Sequence, residues 1–334
     1  MINETNYRVS KFVNERVISP ELQIIISALD HCRTFSKLGG EPQCMLITGP
    51  SGVGKTSIIE KYLKDHQRRH LYEATEIPVL NVTLSEIKTT VSMYQQILHD
   101  LGHPRPFDSN SELELRVQIK KLVVNCKVEM IIIDEFQQLI EKKTQAILSD
   151  TANSLKRLIL DIKIPVILVG MPYSSVILDT NSQLSSRFEL RHCIHPFRMS
   201  TTKERTAYIS FLNLLEKQMS LPEQSHLNTD DIAKRLYFYC KGSFRPLKNL
   251  LNIAFYQALM NDETKITLTR LAATAAYINP KLDKRTNPFL IDAANIIIVE
   301  PNEKAGWEDY HEGKARFKKS KKSHDREILS NIFN

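Results

Sequence analysis

The chain has 334 residues, enough for one large α/β domain and a smaller second domain. Hydrophobic residues make up 42% and charged residues 25%, an ordinary globular balance, and no apolar run is long enough to cross a bilayer. The N-terminus lacks the apolar core of a signal peptide and the five cysteines form no CxxC pair, so we expect a cytoplasmic protein without membrane contact, zinc site or disulfide framework. The net charge of +7 is compatible with a nucleic-acid partner but does not identify one.

Apolar runs alternate with amphipathic helical patterns as far as residue 199. Residues 1–40 are predicted to be a helical lead-in, with a helix start at Ser19-Pro20-Glu21. Four apolar runs predict buried strands, followed by a weaker fifth candidate: Cys44–Thr48, Ile77–Thr83, Val128–Asp134, Ile164–Gly170 and His192–Phe197. Near-continuous apolar strands separated by helices predict an α/β fold over residues 41–199, with a parallel five-stranded sheet flanked by helices.

Only helical patterns follow Met199. Four amphipathic segments with turn signals between them predict a small helical lid domain over residues 200–280. The last segment, 281–334, contains a strongly basic tail at Lys314–Lys322 that is too charged to bury. Such a tail could bind DNA, fold onto a partner protein or only keep the chain soluble. Trp307, the only tryptophan, could anchor a partner or pack against the helical domain.

The segment GPSGVGKTS lies between a predicted strand and a predicted helix. It matches the phosphate-binding pattern G-x-x-x-x-G-K-[ST]. Backbone N–H groups of such a loop converge on phosphates, Lys55 reaches the β- and γ-phosphates, and Thr56 supplies a hydroxyl to Mg²⁺. The predicted nucleotide-binding residues are Gly49, Pro50, Ser51, Gly52, Val53, Gly54, Lys55, Thr56 and Ser57.

Asp134 and Glu135 end the third predicted strand in the sequence IIIDE. A carboxylate at the end of a parallel strand, next to the strand that leads into the phosphate loop, can hold Mg²⁺ through its water shell. Glu135 is then placed to orient and deprotonate an attacking water. The alternative is an acidic pair that caps the next helix. A position about 80 residues beyond the phosphate loop favours the metal and catalytic roles.

Two arginines are candidates for stabilising charge during hydrolysis. Arg187 lies in QLSSRFEL after the fourth strand, and Arg245 lies in KGSFRPLKN before a helix that begins with proline. Charge develops on the γ-phosphoryl oxygens, and an arginine from a neighbour or a lid can stabilise it. A surface salt bridge is the alternative for each residue.

Together these motifs resemble those of an AAA+ ATPase. More narrowly, the chain is similar to the TnsC/TniB family of transposition ATPases in IDEFQQL (Ile133–Leu139), VILVGMP (Val166–Pro172), QLSSRFE and GSFRPLKNLLNIA. The resemblance spans about Val17 to Ala276. It implies a Mg²⁺-dependent ATPase used as a switch, in which Lys55 and Glu135 are catalytic residues. Arg187 would then be an arginine finger that acts across a subunit interface, and Arg245 the sensor arginine of the lid.

One position departs from the pattern of this class. The fourth strand is followed by Gly170-Met171-Pro172-Tyr173-Ser174, where a polar sensor residue is usual. Met171 cannot form a strong hydrogen bond to water. Tyr173, Ser174 or no residue could take this role, and slow hydrolysis is one expected consequence.

The resemblance also implies a homo-oligomer, a ring or filament around double-stranded DNA, that links a target-selection protein complex to a transposase. Lys88, Thr89 and Thr90 would contact DNA phosphates in its pore, and a solvated helix start is the alternative. A helicase loader shares every nucleotide motif but grips single strands. A signalling ATPase would not bind DNA, and a small-molecule kinase has no need of Asp134-Glu135.

Overall fold

The computed structural model describes residues 2–15, 17–72, 75–302, 304–308 and 310–311. The chain begins with two helices, α1 (Ile2–Asn14) and α2 (Pro20–Lys37). As predicted, α2 begins directly after Ser19, whose hydroxyl accepts a hydrogen bond from the Leu22 N–H at 3.4 Å. Among the described residues, no helix combines the length and apolar character needed to span a membrane.

Five parallel strands form the central sheet, which confirms the prediction from the apolar runs. In chain order the strands of the structure are β1 (Met45–Thr48), β2 (Arg69–His70), β3 (Thr75–Glu76), β4 (Val79–Thr83), β5 (Met130–Asp134), β6 (Val166–Gly170) and β7 (Leu190–Cys193). The sheet has the order β4-β5-β6-β1-β7. β2 and β3 form a separate antiparallel pair that the sequence analysis did not predict.

The order of the strands corrects one expectation. The strand that ends in Asp134 was expected next to the strand before the phosphate loop, but β6 lies between β5 and β1. All these strands are similarly apolar, so their sequences do not encode which pair is adjacent. A later strand can enter between two earlier ones because a helical crossover carries the chain over the sheet.

The fifth strand is also shorter and earlier than predicted. It was expected at His192–Phe197, whereas β7 pairs with β1 only from Leu190 to Cys193. β1 ends at Thr48 where the loop begins, and Ile194 makes the last main-chain contact, donating to the Thr48 carbonyl at 2.7 Å. The ladder of β7 ends there because β1, its single partner, ends at Thr48.

Helices cover both faces of the sheet. They are α3 (Lys55–Asp65), α4 (Thr90–Asp100), α5 (Glu112–Asn125) and α6 (Gln145–Ile162), followed by the short α7 (Val176–Asp179) and α8 (Ser182–Ser185). Alternate strand residues point to opposite faces. Ile131 and Ile133 pack with residues of α4, α5 and α6, whereas Met130 and Ile132 pack with residues of α2 and α3.

The helix predicted after Asp134 is divided in two. A 3-10 turn, Phe136–Leu139, follows β5 directly, and α6 begins only after Thr144, which caps it through a hydrogen bond to the Ile147 N–H. The interruption places the side chains of the turn at the end of the sheet rather than on the face of a helix.

The remaining helices pack around a second hydrophobic core. They are α9 (Thr202–Met219), α10 (Asp230–Cys240), α11 (Phe244–Met260) and α12 (Leu268–Ile278). α1 belongs to this core, because the ring of Phe12 is 1% exposed and meets the Phe255 ring edge-on at 5.2 Å. Lys248 Nζ also donates to the Phe12 carbonyl at 2.8 Å. The two lead-in helices thus pack on different parts of the molecule, α1 on α11 and α2 on α3.

Candidate nucleotide-binding site

The turn from Gly49 to Gly54 joins β1 to α3. The Gly49 N–H donates to the Gly170 carbonyl of β6 at 3.2 Å. A Cβ at Gly49 would lie 2.5 Å from the Ile194 carbonyl oxygen, so only glycine fits there. Gly54 caps α3 with a φ of +105°, a conformation that favours glycine. The turn therefore leads directly onto the N-terminus of α3, an arrangement that suits an anionic phosphate.

Lys55 begins α3, and its ammonium group lies inside this turn. Nζ donates to the carbonyl oxygens of Gly49 and Pro50 at 2.6 and 2.9 Å. Burial lowers the pKa of Lys55, and the Glu135 and Asp134 carboxylates oppose this shift. The lysine holds its charge beside the turn, where a phosphate can replace the two carbonyls as its partner.

Asp134 and Glu135 lie at the carboxyl end of β5, across β6 from the turn. Asp134 is 5% exposed. Burial raises the pKa of its carboxyl group, and the hydrogen bond from the Glu135 N–H is the strongest opposing effect, with a smaller one from the Thr56 hydroxyl. The Glu135 N–H donates to Asp134 Oδ1 at 2.8 Å. Thr56 and Asp134 thus meet although a strand separates β5 from β1.

The oxygen ligands of this site suit Mg²⁺. Hydroxyl and carboxylate oxygens are hard donors of the kind that Mg²⁺ prefers. Across the part of the chain that the structure describes, no group of three or more His, Cys, Asp or Glu residues could hold a metal alone. Thr56 and Asp134 would hold the ion together with phosphate oxygens and water, as is usual where Mg²⁺ binds with a nucleotide.

The beginning of α11 forms the opposite wall of the cleft. The Arg245 N–H donates to the Gly52 carbonyl at 2.9 Å, and Arg245 Nη1 donates to Ser51 Oγ at 3.1 Å. The charge of Arg245 also contributes to lowering the pKa of Lys55, after the larger effect of burial. The structure therefore brings Arg245 to the same turn as Lys55, in the same protomer.

An apolar cavity opens beside the turn, between α2, the chain after β7 and the beginning of α11. The side chains that make it apolar come from several separate segments: Val17, Leu22, Val53, Ile194, Phe197 and Phe244. The cavity has a volume of only about 20 Å³, close to that of one water molecule, so a nucleotide base would have to part its walls. The sequence analysis missed it, because only the fold brings these segments together and no local pattern marks them.

Arg187 lies at the other end of the sheet. Its carbonyl accepts a hydrogen bond from the Cys44 N–H at 3.0 Å, directly before β1, and its guanidinium lies 4.0 Å from the Glu41 carboxylate. β1, four residues long, separates Arg187 from the turn by about 13 Å, at 3.3 Å per residue. Arg187 therefore does not join Lys55 and Arg245 within one protomer.

The three candidate DNA contacts lie together at the beginning of α4. Lys88 and Thr89 are exposed. Thr89 caps α4, since its hydroxyl accepts a hydrogen bond from the Ser92 N–H at 3.1 Å. Thr90 Oγ1 donates to Glu112 Oε1 of α5 at 2.7 Å. Both threonines have structural roles, whereas Lys88 presents an exposed cation.

The chain after β6 holds the position where a polar sensor was expected. The Met171 N–H donates to Gln137 Oε1 at 3.2 Å, and Gln137 Nε2 donates to the Glu135 carboxylate. The Tyr173 hydroxyl instead donates to Glu141. The sequence analysis did not single out Gln137, although a polar residue two places after the glutamate was an available signal.

The last described segment packs across the turn. A Cβ at Gly306 would lie 3.1 Å from Pro50 Cα. The ring of Trp307 meets Tyr173 edge-on at 6.4 Å, and Tyr310 stacks on Tyr173 at 5.3 Å. Trp307 thus contacts the α/β part of the molecule, a position that the sequence analysis did not name. The basic tail lies outside the described residues.

Solved structures similar to this chain share its fold. CDC6P of Pyrobaculum aerophilum aligns with a TM-score of 0.58 and 15% identity, over 82% of this chain and 72% of that one. ORC2 of Aeropyrum pernix, in its ADPNP-ADP complexes, aligns with a TM-score of 0.56 and 15% identity, over 82% of this chain and 72% of that one. ORC1 of Aeropyrum pernix in complex with DNA aligns with a TM-score of 0.54 and 15% identity, over 79% of this chain and 67% of that one. At this identity the similarity identifies the fold alone, and it confirms the AAA+ P-loop ATPase fold.

Comparison at the level of families is more specific. No curated protein matches the chain. The family described as bacterial TniB protein matches residues 8–196, more than half of the chain, and this range includes the turn, Asp134, Glu135 and Arg187. The chain therefore belongs to the bacterial TniB protein family.

Proposed function

We propose that this chain is an ATP-dependent, DNA-binding regulator of DNA transposition. It assembles as a ring or short filament on target duplex DNA and links a target-selection protein complex to a transposase. Membership of the TniB family supports the connection with transposition. The observation that carries the switch is the position of Arg187, which lies at the opposite end of β1 from Lys55.

ATP is the nucleotide that we assign to the cleft. Its phosphates lie on the turn beside Lys55, and Arg245 contacts them from α11. Mg²⁺, held by Thr56 and Asp134, neutralises phosphate charge when bound. Glu135 accepts a proton from water as the water oxygen bonds to the γ-phosphorus and the bond to the β–γ bridging oxygen breaks, which leaves ADP and phosphate.

In this proposal, oligomerisation of the protein and binding of ATP depend on each other. Arg187 is too far from the turn of its own protomer, so a neighbouring copy must supply the arginine that stabilises the transferring phosphoryl group. ATP between two protomers holds the assembly together, and hydrolysis through Glu135 releases it. Lys88 at the beginning of α4 contributes a sequence-independent contact to DNA phosphates.

Two variants test the switch on a labelled duplex. Lys55→Ala should lose ATP binding and duplex binding together, while Lys61→Ala, an exposed lysine of the same helix that pairs with Asp65, should lose neither. Glu135→Gln should bind duplex in ATP and remain on it far longer than wild type, because bound ATP is not consumed. Dissociation of Glu135→Gln at the wild-type rate in ATP would refute the switch.

The preference for duplex or single-stranded DNA distinguishes a transposition regulator from a helicase loader and from a signalling ATPase. Binding to duplex that weakens steeply with salt supports the proposal, preference for single strands favours a helicase loader, and no salt-dependent affinity favours a signalling ATPase. If a transposase gene lies beside the gene for this chain, its product is the partner for a strand-transfer assay. ATP and this chain together should stimulate strand transfer into DNA, and a replication operon at that position would instead favour the loader.

A further inference from the structure

Gln137 is buried between Glu135 and the backbone of Met171 in the candidate site. It lies in the 3-10 turn directly after β5 and is 6% exposed. Its Nε2 donates to the Glu135 carboxylate, and its Oε1 accepts from the Met171 N–H at 3.2 Å. The first partner can only accept and the second can only donate, so the orientation of the amide is determined by its partners.

The end of β6 is shaped around this amide. A Cβ at Gly170 would lie 2.7 Å from Gln137 Oε1 and 2.4 Å from Ser174 Oγ. Both distances are far below van der Waals contact, so a larger residue at position 170 would displace the amide or the hydroxyl. Gly170 therefore provides the space that Gln137 occupies.

The residues after β6 do not take over this role. The Met171 side chain offers only a weak thioether acceptor. The Tyr173 hydroxyl donates to Glu141, and Ser174 Oγ is buried without a hydrogen-bond partner among the described residues. The polar side chain that links Glu135 to the end of β6 thus comes from the β5 side.

We propose that Gln137 is a positioning residue for Glu135 in ATP hydrolysis, an inference that rests on the proposed ATPase function. Glu135 has a left-handed backbone with φ of +57°, and its side chain leaves the strand at a turn. A hydrogen bond to one carboxylate oxygen holds the group in one orientation and leaves the other oxygen to accept the proton of water.

Gln137→Met tests this role with little change in side-chain length, because methionine can fill the site but cannot replace either hydrogen bond. We expect kcat for ATP hydrolysis to fall about 10- to 100-fold, since general-base catalysis contributes 10²–10⁴ in full. KM and the Kd for ATP should stay within about threefold, because no contact to the nucleotide changes. The matched control is Gln145→Met, the same substitution at an exposed residue of α6, which should leave kcat unchanged.

Two further variants separate positioning from packing. Gln137→Glu keeps an acceptor for the Met171 N–H but places a second carboxylate beside Glu135. It should therefore lower kcat as Gln137→Met does, with KM within about threefold, because repulsion between two carboxylates replaces the hydrogen bond to Glu135. Gly170→Ala should displace the Gln137 amide and reproduce the fall in kcat. Melting temperatures near that of wild type show that each variant is folded.

The outcomes are distinguishable. Wild-type protein that hydrolyses no ATP, with or without DNA, overturns both the ATPase function and this inference. Active wild type with a Gln137→Met variant of unchanged kcat overturns only the role of Gln137. A Gln137→Met variant whose kcat falls only together with its ATP affinity and its melting temperature assigns Gln137 to packing and also overturns it.

Discussion

Arg245 and Ser51 are hydrogen-bonded across the cleft, with Arg245 Nη1 donating to Ser51 Oγ at 3.1 Å, although the two residues lie 194 positions apart. The backbone of Arg245 also donates to Gly52 at 2.9 Å. The helical part of the chain is thus closed on the turn through main-chain and side-chain contacts. A phosphate that reaches the turn meets an arginine already held in place, which reduces the entropy lost on binding.

Asp134→Asn is expected to stabilise the nucleotide-free protein. Burial raises the pKa of Asp134, so the folded protein binds this proton more tightly than the unfolded chain. The contribution of Asp134 to stability therefore falls as pH rises above its ordinary value of 3.8. Asparagine removes the cost of burying the charge, and the melting temperature should rise by about 1–3 °C at pH 8. Thermal melts should show a smaller gain at pH 5.

The same substitution should remove Mg²⁺-dependent ATP binding, measured by calorimetry with and without EDTA. A gain in stability together with a loss of ATP binding is expected when a protein retains a destabilising buried carboxylate because its function requires it. A melting temperature of Asp134→Asn below that of wild type at pH 8 would contradict the predicted stabilisation.

Arg187→Ala and Glu135→Gln should complement each other when mixed. Each variant alone should hydrolyse ATP at least about 10²-fold more slowly than wild type, because one lacks the arginine and the other the base. In a mixture, an Arg187→Ala protomer keeps Glu135 in its own site and can receive Arg187 from a Glu135→Gln neighbour. Phosphate release should then exceed the sum of the separate variants. Arg105→Ala, whose side chain is 80% exposed, is the control and should behave as wild type.

Mixed variants that remain as inactive as the two alone would contradict an arginine supplied between protomers. Arg187→Ala should also leave ATP affinity unchanged at protein concentrations too low for assembly, because Arg187 lies outside the site of its own protomer.

Lys88→Ala should weaken duplex binding without affecting folding. Loss of one phosphate contact should lower the slope of log K against log salt by about 1. Fluorescence anisotropy at several salt concentrations measures this slope. Lys120→Ala, which removes an exposed lysine of α5, is the matched control with an unchanged slope. An unchanged slope for Lys88→Ala would remove this residue from the DNA interface.

For Thr89 and Thr90, DNA affinity has to be compared with the melting temperature of each variant. Thr89→Ala removes the cap of α4, at a cost of about 1 kcal/mol. Thr90→Ala removes a partner of Glu112. Lower DNA affinity in either variant should therefore be accompanied by a lower melting temperature, which separates loss of structure from loss of a phosphate contact.

Gly306→Ala should displace the last described segment from the turn. Gly306 has a φ of +86°, and a Cβ there would lie 2.8 Å from Pro172 Cδ and 3.1 Å from Pro50 Cα. Strain of this kind costs on the order of 1–3 kcal/mol. Because Trp307 is the only tryptophan, its emission should shift to longer wavelength in the variant as the ring leaves Tyr173. Asn295→Ala, at an exposed residue eleven positions earlier, is the control, and equal emission spectra of Gly306→Ala and wild type would contradict the contact.

Several features of this protein follow from local sequence. The apolar runs predicted the strands of the sheet, because a strand buried on both faces must be apolar throughout. The spacing of Gly49, Gly54 and Lys55 predicted the phosphate turn, since the backbone conformation and the charge are properties of adjacent residues. The amphipathic period predicted the helices after Met199, whereas the boundaries of the domains stay a prediction.

The tertiary structure decided the features that depend on which segments become neighbours. Strands of equal apolarity carry no label of their order, so only the fold placed β6 between β1 and β5. That order puts Gln137 between Glu135 and Met171. The packing of the remaining segments sets Arg187 apart from Lys55 and brings Arg245 to Ser51. A hydrogen bond between distant residues depends on distances that no local pattern encodes, because they arise from packing the whole chain.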